Sequence, residues 1–145
     1  MIYFAADHAG FELKEALVAY VAGLGYEVED CGAFSLDPND DYPAFMQKAG
    51  DAVAANPLAH KAIILGGSGQ GEAVVANRIP GVRAVVYYGG NPAIVRLSRE
   101  HNDANVLSLG ARFLTLDEAQ NAVRLWLDTD FSGDERHIRR IAAID

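Results

Sequence analysis

A glycine-rich segment, residues 66–71, runs directly into an acidic residue, Glu72. Glycines let backbone N–H groups turn toward an anion, and the start of a following helix adds further donors. A carboxylate beside such donors can remove a proton from a carbon acid while the donors hold the developing oxyanion. The segment fails the two common nucleotide-binding patterns, because one requires glycine and the other lysine at position 72. An alternative stays open, in which Glu72 only interacts with the dipole of a helix that begins there.

Further polar candidates stand at the ends of other predicted elements. Asp7 and His8 follow one apolar segment, and Arg112 closely follows another. His101 and Asn102 end a predicted helix. Each group has a purely structural alternative: Asp7 or His8 could cap the next helix, and His101 could interact with a helix C-terminal dipole. The residue types alone leave both alternatives open.

The last segment of the chain is basic although the protein as a whole is acidic. Arg136 and Arg140 are four residues apart, so they share one face of a helix. We expect Ile138, Ile141 and Ala142 on the opposite, buried face. Two guanidinium groups on one face suit a phosphate group. A solvated basic helix end is the alternative.

The elements that position these groups alternate between strand and helix. Apolar segments near residues 2–6, 27–29, 61–65, 82–87 and 106–109 are typical of strands. Helical patterns lie between and after them, over residues 11–24, 43–53, 72–78, 92–101, 115–126 and 136–144. Five strands separated by helices predict a parallel sheet covered on both faces, with ligands at the carboxyl ends of the strands. We therefore expect the polar segments 7–8, 66–72, 101–103 and 110–112 to share one rim.

The composition limits the class of protein. The chain of 145 residues suits one domain, residues 1–145, and its net charge of −8 disfavours nucleic-acid binding. We find no apolar run long enough to cross a membrane and no signal peptide, so we expect a cytoplasmic protein. The four histidines and the single cysteine, Cys31, lack a compact metal-ligand spacing, so we expect no metal.

Together, the motifs resemble one known family along essentially the whole chain. They are Asp7-His8-Ala9-Gly10-Phe11, Asp41-Tyr42-Pro43, Gly66-Gly67-Ser68-Gly69-Gln70-Gly71, Ala76-Asn77-Arg78, His101-Asn102-Asp103-Ala104-Asn105, Arg136-His137 and Arg139-Arg140. In this order and spacing, the chain resembles the ribose-5-phosphate isomerase B family, which is grouped with the galactose-6-phosphate isomerase subunits.

The resemblance implies a fold, an assembly and a reaction. The fold is a Rossmann-like three-layer α/β/α sandwich with a five-stranded parallel sheet. The assembly is a homodimer or a larger oligomer with its sites at the interface, where we expect the C-terminal helix from about residue 135. The reaction interconverts ribose 5-phosphate and ribulose 5-phosphate through a cis-enediolate, without a metal or a nucleotide cofactor.

The resemblance also implies a role for each matching residue. His101 corresponds to the acid–base group that opens the sugar ring, and Asp7, Tyr42 and Asn102 correspond to sugar contacts. The backbone of Gly67, Gly69 and Gly71, together with Ser68, corresponds to the anion hole for the enediolate. The expected phosphate ligands, some of which come from a neighbouring subunit, are His8, Arg112, Arg136 and Arg140.

One departure from the family pattern concerns the base. Many members carry a cysteine base directly after the third strand, and this chain has Gly66 there. The sequence resembles the branch in which a glutamate at the position of Glu72 takes this role. Two alternatives remain: the same chemistry on a six-carbon sugar phosphate, and a non-catalytic ligand-binding domain with a Rossmann-like sheet.

Overall fold

The computed structural model describes residues 1–144 and shows one five-stranded sheet with six helices. All strand pairs are parallel, in the order β2-β1-β3-β5-β4. The strands are β1 Ile2–Ala6, β2 Val28–Asp30, β3 Lys61–Gly66, β4 Ala84–Tyr87 and β5 Val106–Gly110. The helices are α1 Phe11–Gly23, α2 Tyr42–Ala54, α3 Gln70–Ala76, α4 Ala93–Asn102, α5 Leu116–Asp128 and α6 Glu135–Ala142. The predicted α/β class and strand number are confirmed.

The core lies on both faces of the sheet, because side chains alternate along each strand. On β3, Ile63 and Leu65 pack with α1, α4 and α5 on one face, whereas Ala62 and Ile64 pack with α2 and α3 on the other. Burial on both faces explains why the central strands are almost continuously apolar. The predicted three layers are therefore present.

Several helix boundaries follow directly from local sequence. Gly25 has a φ of +97° just after α1, where a left-handed residue ends a helix without a Cβ clash. Pro43 lies in the first turn of α2, where its missing N–H costs nothing. Thr115 caps α5 and accepts a hydrogen bond from the backbone N–H of Glu118 at 3.2 Å. In the described residues, no helix is both long and apolar enough to cross a membrane.

Helix α6 buries a different residue from those that the sequence predicts. Ile138 is 52% exposed, Ile141 is half-buried and Ala142 is exposed, so the expected apolar face is wrong. The buried residue is His137, whose ring stacks on that of His101 with 4.4 Å between the centroids. The expectation fails because α6 packs against the end of α4 rather than against the sheet.

Candidate active site

A cavity of about 480 Å³ opens at the carboxyl edge of the sheet. Strands β1, β3 and β5 are neighbours and run in the same direction, so the residues that follow them converge there. Most of the predicted site residues line this cavity together with Ala9 and Phe113; they are Asp7, His8, Tyr42, Gly67, Ser68, Gly71, Glu72 and Arg112. Its volume suits a small molecule.

The glycine-rich loop is fastened to β5. Ser108 is fully buried on β5, and its hydroxyl donates to the carbonyl of Gly69 at 2.7 Å. The backbone N–H of Arg112 donates to the carbonyl of Gly67 at 3.1 Å. Gly69 has a φ of +78° as the N-cap of α3, which favours glycine at this position. The loop therefore delivers the N-terminus of α3 to the cavity, where the N–H groups of its first turn have no partner within the helix.

Glu72 lies in the first turn of α3, and its side chain turns back over the end of β3. A Cβ added to Gly66 would lie 1.8 Å from Oε1 of Glu72, so the carboxylate occupies the place of a side chain at position 66. Glu72 is only 4% exposed. Burial raises the pKa of its carboxyl group, and the negative charge of Asp7 adds to this effect, against a lowering by Glu72's own backbone N–H. A raised pKa makes the carboxylate a stronger base than an exposed glutamate.

Asp7 and His8 are held by hydrogen bonds at the end of β1. Oδ1 of Asp7 accepts from the backbone N–H groups of Ala9 at 2.9 Å and Gly10 at 3.3 Å. Nδ1 of His8 lies 2.7 Å from Oδ1 of Asp40. This hydrogen bond is the main reason that the pKa of His8 is raised. The carboxyl edge of the sheet thus presents the fixed Asp7 carboxylate and the His8 ring, whose raised pKa favours the imidazolium form.

Tyr42 and Arg112 close two sides of the cavity. A Cβ added to Gly71 would lie 2.6 Å from the Tyr42 ring, so the ring packs directly on the loop backbone. Arg112 is exposed, and its Nη1 would lie 3.1 Å from a Cβ added to Gly67. The cavity therefore combines a buried carboxylate, helix N–H donors and a cation. An anionic substrate that loses a proton from carbon suits this combination.

The expectation of one shared rim is wrong for His101 and Asn102 within a single chain. Helix α4 runs antiparallel to the strands and ends just before β5, so its C-terminus lies at the amino edge of the sheet. The sheet separates the two edges by roughly 16 Å, from five residues at about 3.3 Å each. Asn102 instead lines a second cavity of about 550 Å³ with residues from the start of β4. The stacking of His101 on His137 places α6, with Arg136 and Arg140, near the same end.

The sequence pattern of the Ribose/Galactose Isomerase family matches residues 2–144. The chain belongs to this family. Ribose-5-phosphate isomerase B of Mycolicibacterium paratuberculosis is 43% identical over 140 residues, which is 97% of this chain and 86% of that protein. Ribose-5-phosphate isomerase B of Escherichia coli K12 is 39% identical over 143 residues, which is 99% of this chain and 93% of that protein.

Solved structures of the family share the fold. Ribose-5-phosphate isomerase B of Mycoplasma genitalium, with bound ribulose 5-phosphate, has a TM-score of 0.94 at 36% identity, with 99% of this chain and 92% of that chain covered. The Thermotoga maritima protein has a TM-score of 0.91 at 41% identity, with 99% of this chain and 96% of that chain covered. The family resemblance of the motifs is thereby confirmed.

The group that comes nearest to a metal-ligand set is Asp7, His8 and Asp40. One potential ligand atom from each lies within 4.8 Å of the others in the described part of the chain. Nδ1 of His8 and Oδ1 of Asp7 already take part in hydrogen bonds. Hydrogen bonding therefore accounts for the cluster, and the absence of a metal remains a prediction.

Two residues that shape the site escaped the sequence analysis. Asp40 precedes the Asp41-Tyr42-Pro43 motif, but its contact with His8 spans 32 positions. Ser108 is the polar residue within an otherwise apolar strand segment, which is the signal that could have indicated its buried hydrogen bond.

Proposed function

We propose that the chain is an aldose–ketose isomerase that interconverts ribose 5-phosphate and ribulose 5-phosphate. The observation that carries this proposal is the buried Glu72 carboxylate, held over Gly66 beside the N-terminus of α3. The ribulose 5-phosphate bound to the Mycoplasma genitalium relative supports the choice of substrate.

The proton transfer uses one carboxylate. After the sugar ring opens, Glu72 removes the proton from C2, and the electron pair forms the enediolate. The N–H groups of the loop, with Ser68, stabilise the charge that develops on O1 and O2. Protonated Glu72 then returns the proton to C1 while the hydroxyl proton passes from O2 to O1, which gives the ketose. Because a single base serves one face of the substrate, the intermediate is a cis-enediolate.

Asp7 and Tyr42 face the sugar oxygens in this proposal, and His8 and Arg112 bind the phosphate. Asp7 lines the cavity next to Glu72, and its Oδ1 accepts from the backbone N–H groups of Ala9 and Gly10 before α1. Arg112 supplies a cation close to the glycine-rich loop. These cations offset the net charge of −8 locally, which an anionic substrate requires.

A second copy of the chain completes the site. His101, Asn102, Arg136 and Arg140 lie at the amino edge, so they reach the cavity of a partner rather than their own. Ile138 and Ile144 are 52% and 66% exposed, which fits an interface that includes α6. In a homodimer, His101 of one copy then opens the sugar ring beside Glu72 of the other. We also propose a cytoplasmic location, where the enzyme would meet sugar phosphates.

An assay with three sugar phosphates tests the reaction. We expect turnover of ribose 5-phosphate, and a preference for allose 6-phosphate or galactose 6-phosphate would favour the six-carbon alternative. Glu72→Gln keeps the shape of the side chain but cannot accept the proton, so turnover should fall by a factor of about 10²–10⁴. Solvent-deuterium exchange at C2 should stop as well.

Cys31 provides the matched control. Its thiol is buried in the core, and burial raises its pKa, so it stays protonated and unreactive. Cys31→Ala and thiol alkylation should leave turnover close to normal. Normal turnover of Glu72→Gln, or a non-catalytic wild type, would reject the proposal.

Mixing two inactive variants tests the shared site. In a mixed dimer of Glu72→Gln and His101→Ala chains, one site has both defects and the other has none. Random mixing makes half of the dimers mixed, so about one quarter of wild-type activity should return. If both functional groups came from the same chain, mixing would restore nothing.

A further inference from the structure

A buried carboxylate outside the proposed reaction holds His8. Asp40 lies in the loop before α2, and its side chain is 9% exposed. Its Oδ1 accepts from both the backbone N–H of His8, at 3.0 Å, and Nδ1 of the His8 ring, at 2.7 Å. Its Oδ2 is buried without a hydrogen-bond partner among residues 1–144. The charge of Asp40 is therefore poorly solvated, and His8 is its main neutralising contact.

This contact determines which ring nitrogen is left for a ligand. An ionised carboxylate cannot donate, so the hydrogen of the contact belongs to Nδ1 of His8. Nε2 is then the nitrogen that can reach the cavity, which His8 lines. In the neutral ring with hydrogen on Nδ1, Nε2 is an acceptor and repels a phosphate oxygen. Only the imidazolium form has a donor on Nε2 as well.

Three charged groups face the His8 ring, and their effects have opposite signs. The hydrogen bond that His8 donates to Asp40 is the largest cause of the raised pKa of His8, and the negative charge of Asp7 at the end of β1 acts in the same direction. Burial and the positive charge of Arg112, which follows β5, lower the pKa. The raised pKa keeps the ring charged to higher pH than an isolated histidine.

We infer that Asp40 is a positioning residue for phosphate binding, which orients the His8 ring so that Nε2 donates to the substrate phosphate. This inference rests on the proposed function for the identity of the substrate. Asp40 itself does not touch the substrate. It acts through His8, at the opposite side of the ring from the phosphate.

The central test compares Asp40→Asn with Asp37→Asn from about pH 5.5 to about pH 9, across the ordinary histidine pKa. Asparagine can still accept the two hydrogen bonds but carries no charge. For Asp40→Asn, we expect the KM for ribose 5-phosphate to match wild type at low pH and to rise roughly tenfold at high pH, with kcat nearly constant. Comparison with wild type cancels the titration of the substrate's own phosphate.

Asp37→Asn is the matched control because Asp37 is exposed in the same loop and its carboxylate accepts from the N–H of Asn39. Its backbone carbonyl accepts from the N–H of Asp40, and the substitution keeps that contact. The control removes the same charge and should leave KM unchanged at every pH. An equal effect of both variants, or a KM ratio that does not vary with pH, would overturn the inference.

A second variant separates the ring contact from the backbone contact. His8→Ala removes the ring but keeps the N–H that donates to Asp40, so Asp40→Asn should have no further effect on KM in this background. A full additional loss would show that Asp40 only anchors the loop, and the inference would be wrong.

An NMR titration of the His8 ring keeps this test independent of turnover. The pKa of His8 should be above the ordinary value in wild type and lower in Asp40→Asn, and inorganic phosphate should bind the variant more weakly at high pH. If the wild type isomerises no sugar phosphate, the proposed function fails, while these two measurements still decide the inference. An unshifted His8 pKa or equal phosphate binding would reject the inference alone.

Discussion

The contact between Gly66 and Glu72 makes the placement of the base testable by a single methyl group. Gly66→Ala adds the Cβ that would lie 1.8 Å from Oε1 of Glu72. Gly66 has no positive φ, so alanine fits its backbone conformation and the effect is purely steric. Ordinary van der Waals contact begins near 3.4 Å, so the carboxylate must move by roughly 1.6 Å.

A displacement of this size has a large expected effect on proton transfer. A misplacement of about 1 Å can cost about 10²-fold in rate, so we expect kcat to fall by at least that factor. His8 and Arg112 are not displaced, so the KM for ribose 5-phosphate should change little. Steady-state kinetics with ribose 5-phosphate and the exchange rate of the C2 proton measure the two effects separately.

The control for this experiment is Gly23→Ala. A Cβ at Gly23, in the last turn of α1, meets no atom within 4 Å. Alanine is also the better helix former, so this variant should keep full activity and be slightly more stable. A Gly66→Ala enzyme with normal kcat would refute the position of the Glu72 carboxylate and, with it, the assignment of the base.

Four further predictions concern the charged groups and the metal. The acid limb of kcat against pH should report a pKa above the ordinary glutamate value, because Glu72 must be ionised to accept a proton and burial raises its pKa. The folded state holds the proton of Glu72 more tightly than the unfolded chain does. The free energy of unfolding should therefore decrease as pH rises from the ordinary glutamate pKa through the raised pKa of Glu72. Urea titrations at several pH values should show this decrease for wild type and not for Glu72→Gln. Arg136→Ala and Arg140→Ala should each raise the KM for ribose 5-phosphate by about 10-fold or more, with a smaller loss on ribose, whereas equal losses on both sugars would exclude a phosphate contact. Dialysis against EDTA should leave turnover unchanged, and recovery of lost activity on addition of Mg²⁺ or Zn²⁺ would contradict a metal-free reaction.

The fold follows closely from local patterns, and its deviations have local causes. Strand β4 begins at Ala84 rather than at Val82, because the N–H of Val82 still bonds to Ile79 in a turn. Helix α3 begins at Gln70 rather than at Glu72, because the left-handed Gly69 is its N-cap. Apolar periodicity predicts an element well but does not fix its first residue.

The site is harder to predict, because it depends on contacts between distant segments. His8 and Arg112 could be assigned to the carboxyl edge because each follows a parallel strand. The sequence pattern predicts His101 at the same edge, and this prediction is wrong because a residue that precedes a parallel strand lies at the amino edge of the sheet. Asp40 belongs to a loop whose path no periodic pattern specifies, so its contact with His8 could be found only in the folded structure.

The space above Gly66 also restricts how this enzyme can change over generations. It holds one functional group, so any side chain acquired at position 66 displaces the Glu72 carboxylate. Loss of Glu72 alone removes the proposed base. A lineage that moves the base from position 72 to position 66 needs two substitutions. Whichever substitution comes first, the intermediate protein has impaired catalysis. We expect the two positions to change together, and a redesign that moves the base should begin from the double variant.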